Sequence, residues 1–195
     1  MNVNEAFPKK EWFGPSFEDV NAAALEIFTD GACWPNPGGD GGWGFVVVRD
    51  GHMVAEFCGP DPKTTNNRAE LKAIVRALLW LAPGSSATIV TDSQLAVKIL
   101  SGTWRAKANL DLVKEARQLM QERHITFRWV RGHAGNQWNE RADCLATRGM
   151  AEAKRERVKK PRRPRRKVPD NADLRRRAEQ DGLCFEDTLP DHLIP

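Results

Sequence analysis

Leu25-Glu26-Ile27-Phe28-Thr29-Asp30, followed at once by Gly31-Ala32-Cys33-Trp34-Pro35-Asn36-Pro37-Gly38-Gly39, is the stretch that decides the fold. An apolar run of strand character ends on an acid, and the acid runs into a turn rich in Gly, Pro and Asn. That order predicts a buried strand over Leu25–Asp30 with the Asp30 carboxylate at its C-terminal end, where open α/β sheets hold their ligands. A lone acid there is weak evidence, because Asp also starts turns. The pattern gains weight by repetition: Ala87-Thr88-Ile89-Val90-Thr91-Asp92 is a second apolar run ending in Thr-Asp. If the two strands are parallel neighbours, their carboxylates adjoin. Two like charges held close are costly unless a cation neutralises them.

Working outward, Trp43 to Arg49 is a β-branched and aromatic run, Asp50-Gly51 is a two-residue hairpin signal, and His52 to Cys58 returns antiparallel. A loop is expected over Gly59–Thr65. Asn66 to Leu81 has apolar residues at helical spacing (Ala69, Leu71, Ile74, Val75, Leu78, Leu79) and Pro83-Gly84 after it. Glu70 is expected in the first turn of that helix, where an acid complements the dipole. A short helix follows from Ser93 to Leu100, a connector over Gly102–Asn109, and an amphipathic helix over Leu110–Arg123. Ile125 to Val130 reads as a fifth strand. Arg131 to Asn136 is a glycine-flanked loop bearing His133, and Trp138 to about Ala151 is a last helix carrying Asp143. The order β-β-β-α-β-α-α-β-α predicts an α/β fold, a mixed five-stranded sheet flanked by helices.

The chain has 195 residues, 41% hydrophobic and 29% charged, which suits one soluble domain of about 150 residues with tails. No run of about 18 apolar residues is present to span a membrane. Met1 to Phe13 has no apolar core and does not read as a secretory signal. The cysteines Cys33, Cys58, Cys144 and Cys184 form no Cys-x-x-Cys, so neither a zinc site nor a disulfide framework is expected, and a cytoplasmic location is the default. Of 30 Lys+Arg and 26 Asp+Glu, 13 and 8 fall in residues 154–195, which leaves 17 and 18 in the rest. The basicity therefore lies in the tail and points to a polyanionic partner. The expected organisation is an arm over 1–24, a folded domain over 25–153 and a basic, flexible tail over 154–195.

Four blocks together resemble type 1 ribonuclease H: Phe28-Thr29-Asp30-Gly31-Ala32-Cys33 with Asn36-Pro37-Gly38, Thr65-Asn66-Asn67-Arg68-Ala69-Glu70-Leu71, Val90-Thr91-Asp92-Ser93-Gln94, and Trp129-Val130-Arg131-Gly132-His133-Ala134-Gly135 with Asn139-Glu140-Arg141-Ala142-Asp143. They occur in family order and spacing across about Leu25 to Met150. The resemblance implies an endonuclease that cuts the RNA strand of RNA–DNA hybrids and releases 5′-phosphate ends. It implies Asp30, Glu70, Asp92 and Asp143 as catalytic carboxylates holding two Mg²⁺ ions, with Mn²⁺ as a substitute, and His133 as the loop histidine of turnover. Hard oxygen ligands suit Mg²⁺, and paired ions serve both oxygens of a phosphodiester displacement. By the same resemblance Asn36, Asn66 and Gln94 reach the minor groove of the hybrid, where the 2′-hydroxyl distinguishes RNA from DNA. Lys63, Thr65 and Asn109 grip a DNA-strand phosphate, Asn67 and Asn139 join the substrate contacts, and Trp104 stacks on a deoxyribose. The implied protein is a monomer. Gly102 to Ala108 is too short for the basic handle that many members carry, and the basic tail is expected to supply the missing affinity. A non-catalytic binding module on the same fold, or a related nuclease or integrase, is the alternative. The first would lack a carboxylate, and the second would lack the Asn66-Asn67-Arg68 block and the His133 loop.

Overall fold

The computed structural model describes residues 25–159, and the expectations for residues 1–24 and 160–195 lie outside them. Five strands, β1 (Leu25–Trp34), β2 (Asp40–Arg49), β3 (His52–Pro62), β4 (Ser86–Thr91) and β5 (His124–Trp129), form one sheet in the order β3-β2-β1-β4-β5. The first three are antiparallel, whereas β4 runs parallel to both β1 and β5. Four helices complete the chain: α1 (Asn66–Trp80), α2 (Gln94–Leu100), α3 (Leu110–Gln121) and α4 (Gln137–Lys159).

Alternation along the strands divides the core. Ile27, Phe45, Val47 and Ile89 pack under α1, α2 and α3 with Leu71, Ile74, Leu78 and Val113. Phe28, Val46, Val48 and Val90 face the other way and meet Ala142 and Leu145 of α4. Val46 to Val48 are therefore buried on both faces, which explains a continuous apolar run in place of an alternating one. On the α4 side, Gly44 keeps the sheet open to the helix. A Cβ there would lie 2.5 Å from the Leu145 Cβ and 2.7 Å from the Ala146 nitrogen.

Several boundaries differ from the sequence reading. β1 does not stop at Asp30, because Gly31 to Trp34 stay paired with Asp40 to Trp43. β3 likewise continues to Pro62 through the expected loop. What ends near Asp30 is the parallel pairing with β4, whose last partners are Phe28 and Val90. Glu70 is the fifth residue of α1, one turn deeper than expected, and that helix has no acid in its first turn. α4 runs eight residues past Ala151. Its Lys, Arg, Glu and Ala favour helix, and the first proline after it is Pro161. Residues 154–159, expected as flexible tail, are thus helical. No helix among the described residues is long and apolar enough to cross a membrane. Cys33 and Cys144 are free thiols.

Candidate active site

The sheet opens where β1 and β4 part. Asp30 follows Phe28 by two residues and so faces the same side as Phe28, toward α4. Asp92 follows β4 directly, and Asp143 lies on α4. Glu70 reaches the same place from α1 because Gly31 lets that helix touch the strand. A Cβ at Gly31 would lie 2.2 Å from both the Ala69 carbonyl carbon and the Glu70 nitrogen. Asp30, Glu70, Asp92, Asp143 and His133 thereby line one open cleft of about 520 Å³, together with Asn66, Trp34 and Met150.

Each acid is held. The Gly31 N–H donates to Asp30 Oδ1 at 2.7 Å. Asn66 Nδ2 donates to Glu70 Oε1 at 2.8 Å, and the Ser93 hydroxyl donates to Glu70 Oε2. Asn139 Nδ2 donates to Asp92 Oδ2 at 3.5 Å. Burial pushes the Asp30 carboxyl up to about 8, reinforced by the charges of Asp92, Asp143 and Glu70 and opposed by the Gly31 hydrogen bond. Burial also raises Glu70, against the pull of its Ser93 and Asn66 donors. The charges of Asp92, Asp143 and Glu70 thus bear on Asp30, and that of Asp92 bears on Glu70.

That donor set is all oxygen and fits a hard divalent cation. Among the described residues, no three Asp, Glu, His or Cys side chains converge into a ready-made ligand cage.

The other expected residues lie in several places. Asn36 is exposed on the β1–β2 turn, and its Oδ1 accepts the Asn66 N–H at 3.1 Å. That turn is pinned by Gly38 N–H to the Thr64 carbonyl at 2.7 Å and by the Cys33 thiol to the same oxygen at 3.3 Å. Thr65 caps α1 by accepting the Arg68 N–H, and Asn109 precedes α3 in the left-handed region at φ 52°. Arg68 links these two helix starts, donating to Asn109 Oδ1 at 3.4 Å and to both carboxylate oxygens of Asp111. Lys63, at φ 56°, Asn67 and Gln94 are exposed outside the cleft lining. Trp104 is half exposed and lies under the Lys98 ammonium, 4.3 Å from its ring centroid. Asn139 departs from expectation. It is only 3 % exposed and turns its amide to Asp92, so it orients a carboxylate from within the protein. Ser93 was missed as a partner of Glu70, although its place at a helix start was readable. Trp34 and Met150 were missed as cleft lining, and no motif marks them.

A family model described as RNase H matches residues 22–151. The chain is 41% identical over 148 aligned residues to a ribonuclease H of Thiobacillus denitrificans, covering 69% of this chain and 99% of that one. It is 45% identical to a ribonuclease H of Herminiimonas arsenicoxydans, covering 65% and 94%. Among solved structures, the N-terminal RNase H domain of a Mycobacterium tuberculosis protein superposes with a TM-score of 0.60 at 30% identity, over 70% of this chain and 99% of that one. LC11-RNase H1, solved in complex with RNA/DNA hybrid, gives 0.59 at 26% identity over 66% and 98%. With its five-stranded sheet, its four acids in one cleft and relatives of this closeness across the whole domain, the chain belongs to the ribonuclease H family.

Proposed function

We propose that this protein is an endonuclease that hydrolyses the RNA strand of RNA–DNA hybrids with the help of two divalent cations, Mg²⁺ foremost. The observation that carries the reading is the meeting of Asp30, Glu70, Asp92 and Asp143 with His133 in one cleft. In this reading Asp30, Glu70, Asp92 and Asp143 would hold the ions, Asp92 and Asp143 serving the attacking water and Glu70 the leaving oxygen. When bound, such ions supply a water nucleophile at neutral pH and neutralise charge on the leaving oxygen.

The protein's own groups do the rest. Asn66 and Ser93 keep both Glu70 oxygens aimed into the cleft, and Asn139 steadies Asp92. His133, exposed at φ 52° on its loop, passes a proton to the departing 3′-oxygen and helps the product leave. Asn36, joined to Asn66, reads the minor groove beside the cleft with Gln94, and the 2′-hydroxyl there selects RNA. Lys63, Thr65 and Asn109, gathered at the starts of α1 and α3, take a phosphate of the DNA strand, with Asn67 beside them. The family resemblance, the hybrid seen with LC11-RNase H1 and the curated relatives' name support this assignment.

The test is cleavage of a labelled 20-mer RNA paired with DNA, paired with RNA, or single-stranded, each in Mg²⁺, in Mn²⁺ and in chelator. Only the hybrid should be cut, only with metal, and Asp30→Asn should abolish it. Binding without cleavage in both metals would move the protein to the class of hybrid-binding modules.

A further inference from the structure

α4 carries a stripe that the site described above leaves unused. Asp143 and Met150 both line the cleft and stand seven residues apart, close to two helical turns. Lys154 follows eleven residues after Asp143, about 20° off the same line and about 16 Å farther along the axis. Its side chain is exposed. Three other cations of α4 are engaged: Arg141 with Glu56, Arg148 with Glu152 and Arg157 with Asp40. Lys154 has no acidic partner among the described residues.

This end of α4 is docked on the sheet. Ala153 is 1 % exposed. Arg157 Nε lies 2.9 and 3.0 Å from the two oxygens of Asp40, itself 7 % exposed. Asp40 stands opposite Trp34 in the strand register. Trp34 lines the cleft yet leaves 75 % of its surface open, the most exposed of the described tryptophans. Trp34 thus lines the cleft with an open indole, and Lys154 follows one helical turn past Met150, which lines the same cleft.

We propose that Lys154 and Trp34 form a flanking contact for the duplex, Lys154 on a backbone phosphate and the indole against the adjoining sugar. The inference rests on the hybrid being the ligand. It places the compensation for the short 101–109 connector on the rigid end of α4. Lysine suits the task as a point charge on a long flexible stem.

Arg155 supplies an internal control, since it is exposed but about 120° round the helix from the stripe. Lys154→Ser, Arg155→Ser and Trp34→Ala would be made in the full chain carrying Asp30→Asn, so that hybrid is bound and not cut. Fluorescence anisotropy of a labelled 20-base-pair hybrid in Mg²⁺ would follow Kd from 50 to 200 mM KCl. One phosphate contact contributes about 0.9 to the logarithmic salt slope, or about 3.5-fold in affinity over that range. Lys154→Ser should reduce the salt response by about that factor while Arg155→Ser leaves it near the parent value. Trp34→Ala should weaken binding about fivefold or more, the low end for an aromatic platform, with the slope unchanged. A parent-like slope for Lys154→Ser, or equal slopes for the two charge variants, overturns the proposal. Cleavage by the otherwise unchanged chain, run in parallel, separates this from the proposed activity. Binding without cutting refutes the activity while the slopes still decide the contact, and absence of hybrid binding refutes both.

Discussion

Asp30→Asn should make the metal-free protein more stable, not less. The folded state holds the Asp30 proton up to about 8, against an ordinary 3.8. Between those values the folded chain binds more protons than the unfolded one, so stability falls as pH rises. The penalty is absent below pH 4, grows through the neutral range and is complete above about pH 8. At pH 7 it has reached about 4 kcal/mol. Asparagine is neutral, fits the same space and retains an oxygen for the Gly31 N–H. The variant should therefore gain between about 2 and 4 kcal/mol at pH 7 in chelator and only about 0.5 kcal/mol at pH 4, allowing for the neighbouring acids to relax. Urea unfolding at the two pH values, read by circular dichroism, measures this directly. Added Mg²⁺ should recover stability in the parent and little in the variant. If Asp30→Asn is no more stable than the parent at pH 7, or gains more at pH 4 than at pH 7, the electrostatic account of the cleft is wrong.

Other changes probe the supports of the site. Gly31→Ala should destabilise the fold by about 3 kcal/mol or more, because the new Cβ meets α1 backbone at 2.2 Å; thermal unfolding would show it. Ser93→Ala should lower stability by about 1 kcal/mol through the lost cap of α2, and should lower kcat by releasing one Glu70 oxygen. Restoration of both by Ser93→Thr would separate this from general damage. Asn36→Ala should raise KM for the hybrid several-fold with a small effect on unfolding, since its carbonyl holds the exposed Asn66 N–H at the cleft rim.

The sequence carried the architecture because its strong signals were local. The Asp50-Gly51 turn has the positive φ values, 51° and 76°, that its hairpin type demands. The α1 face and the two Thr-Asp strand ends were equally plain. Two features were not legible. The extension of β1 through Gly31–Trp34 arises from pairing with Asp40–Trp43, a cross-strand fact that overrides the turn propensity of its own residues. The reach of α4 to Lys159 was hidden because charge density was read as tail, whereas Ala153 and Arg157 give that segment something to dock against. At the site, the four acids and His133 stood in recognisable blocks. Ser93 stood in a block with no role assigned to it, and Trp34 and Met150 stood outside the blocks, because the relevance of all three comes only from what the fold sets beside them. Asn139 lay in a block, but its burial and its hydrogen bond to Asp92 were not readable there.

The cleft draws its first acid from β1 and its last from α4, 113 positions later by residue number. At ribosomal speeds of about 5–20 residues per second, that interval is about 6–20 s. During it a nascent chain carries an incomplete set of carboxylates, since Asp143 joins only when α4 lays its alanines against Gly44. Synthesis order thus acts as a delay on the chemistry. A chain interrupted before residue 143 lacks the fourth acid of the cleft, so fragments broken off earlier carry the fold's first strands without the full set of carboxylates.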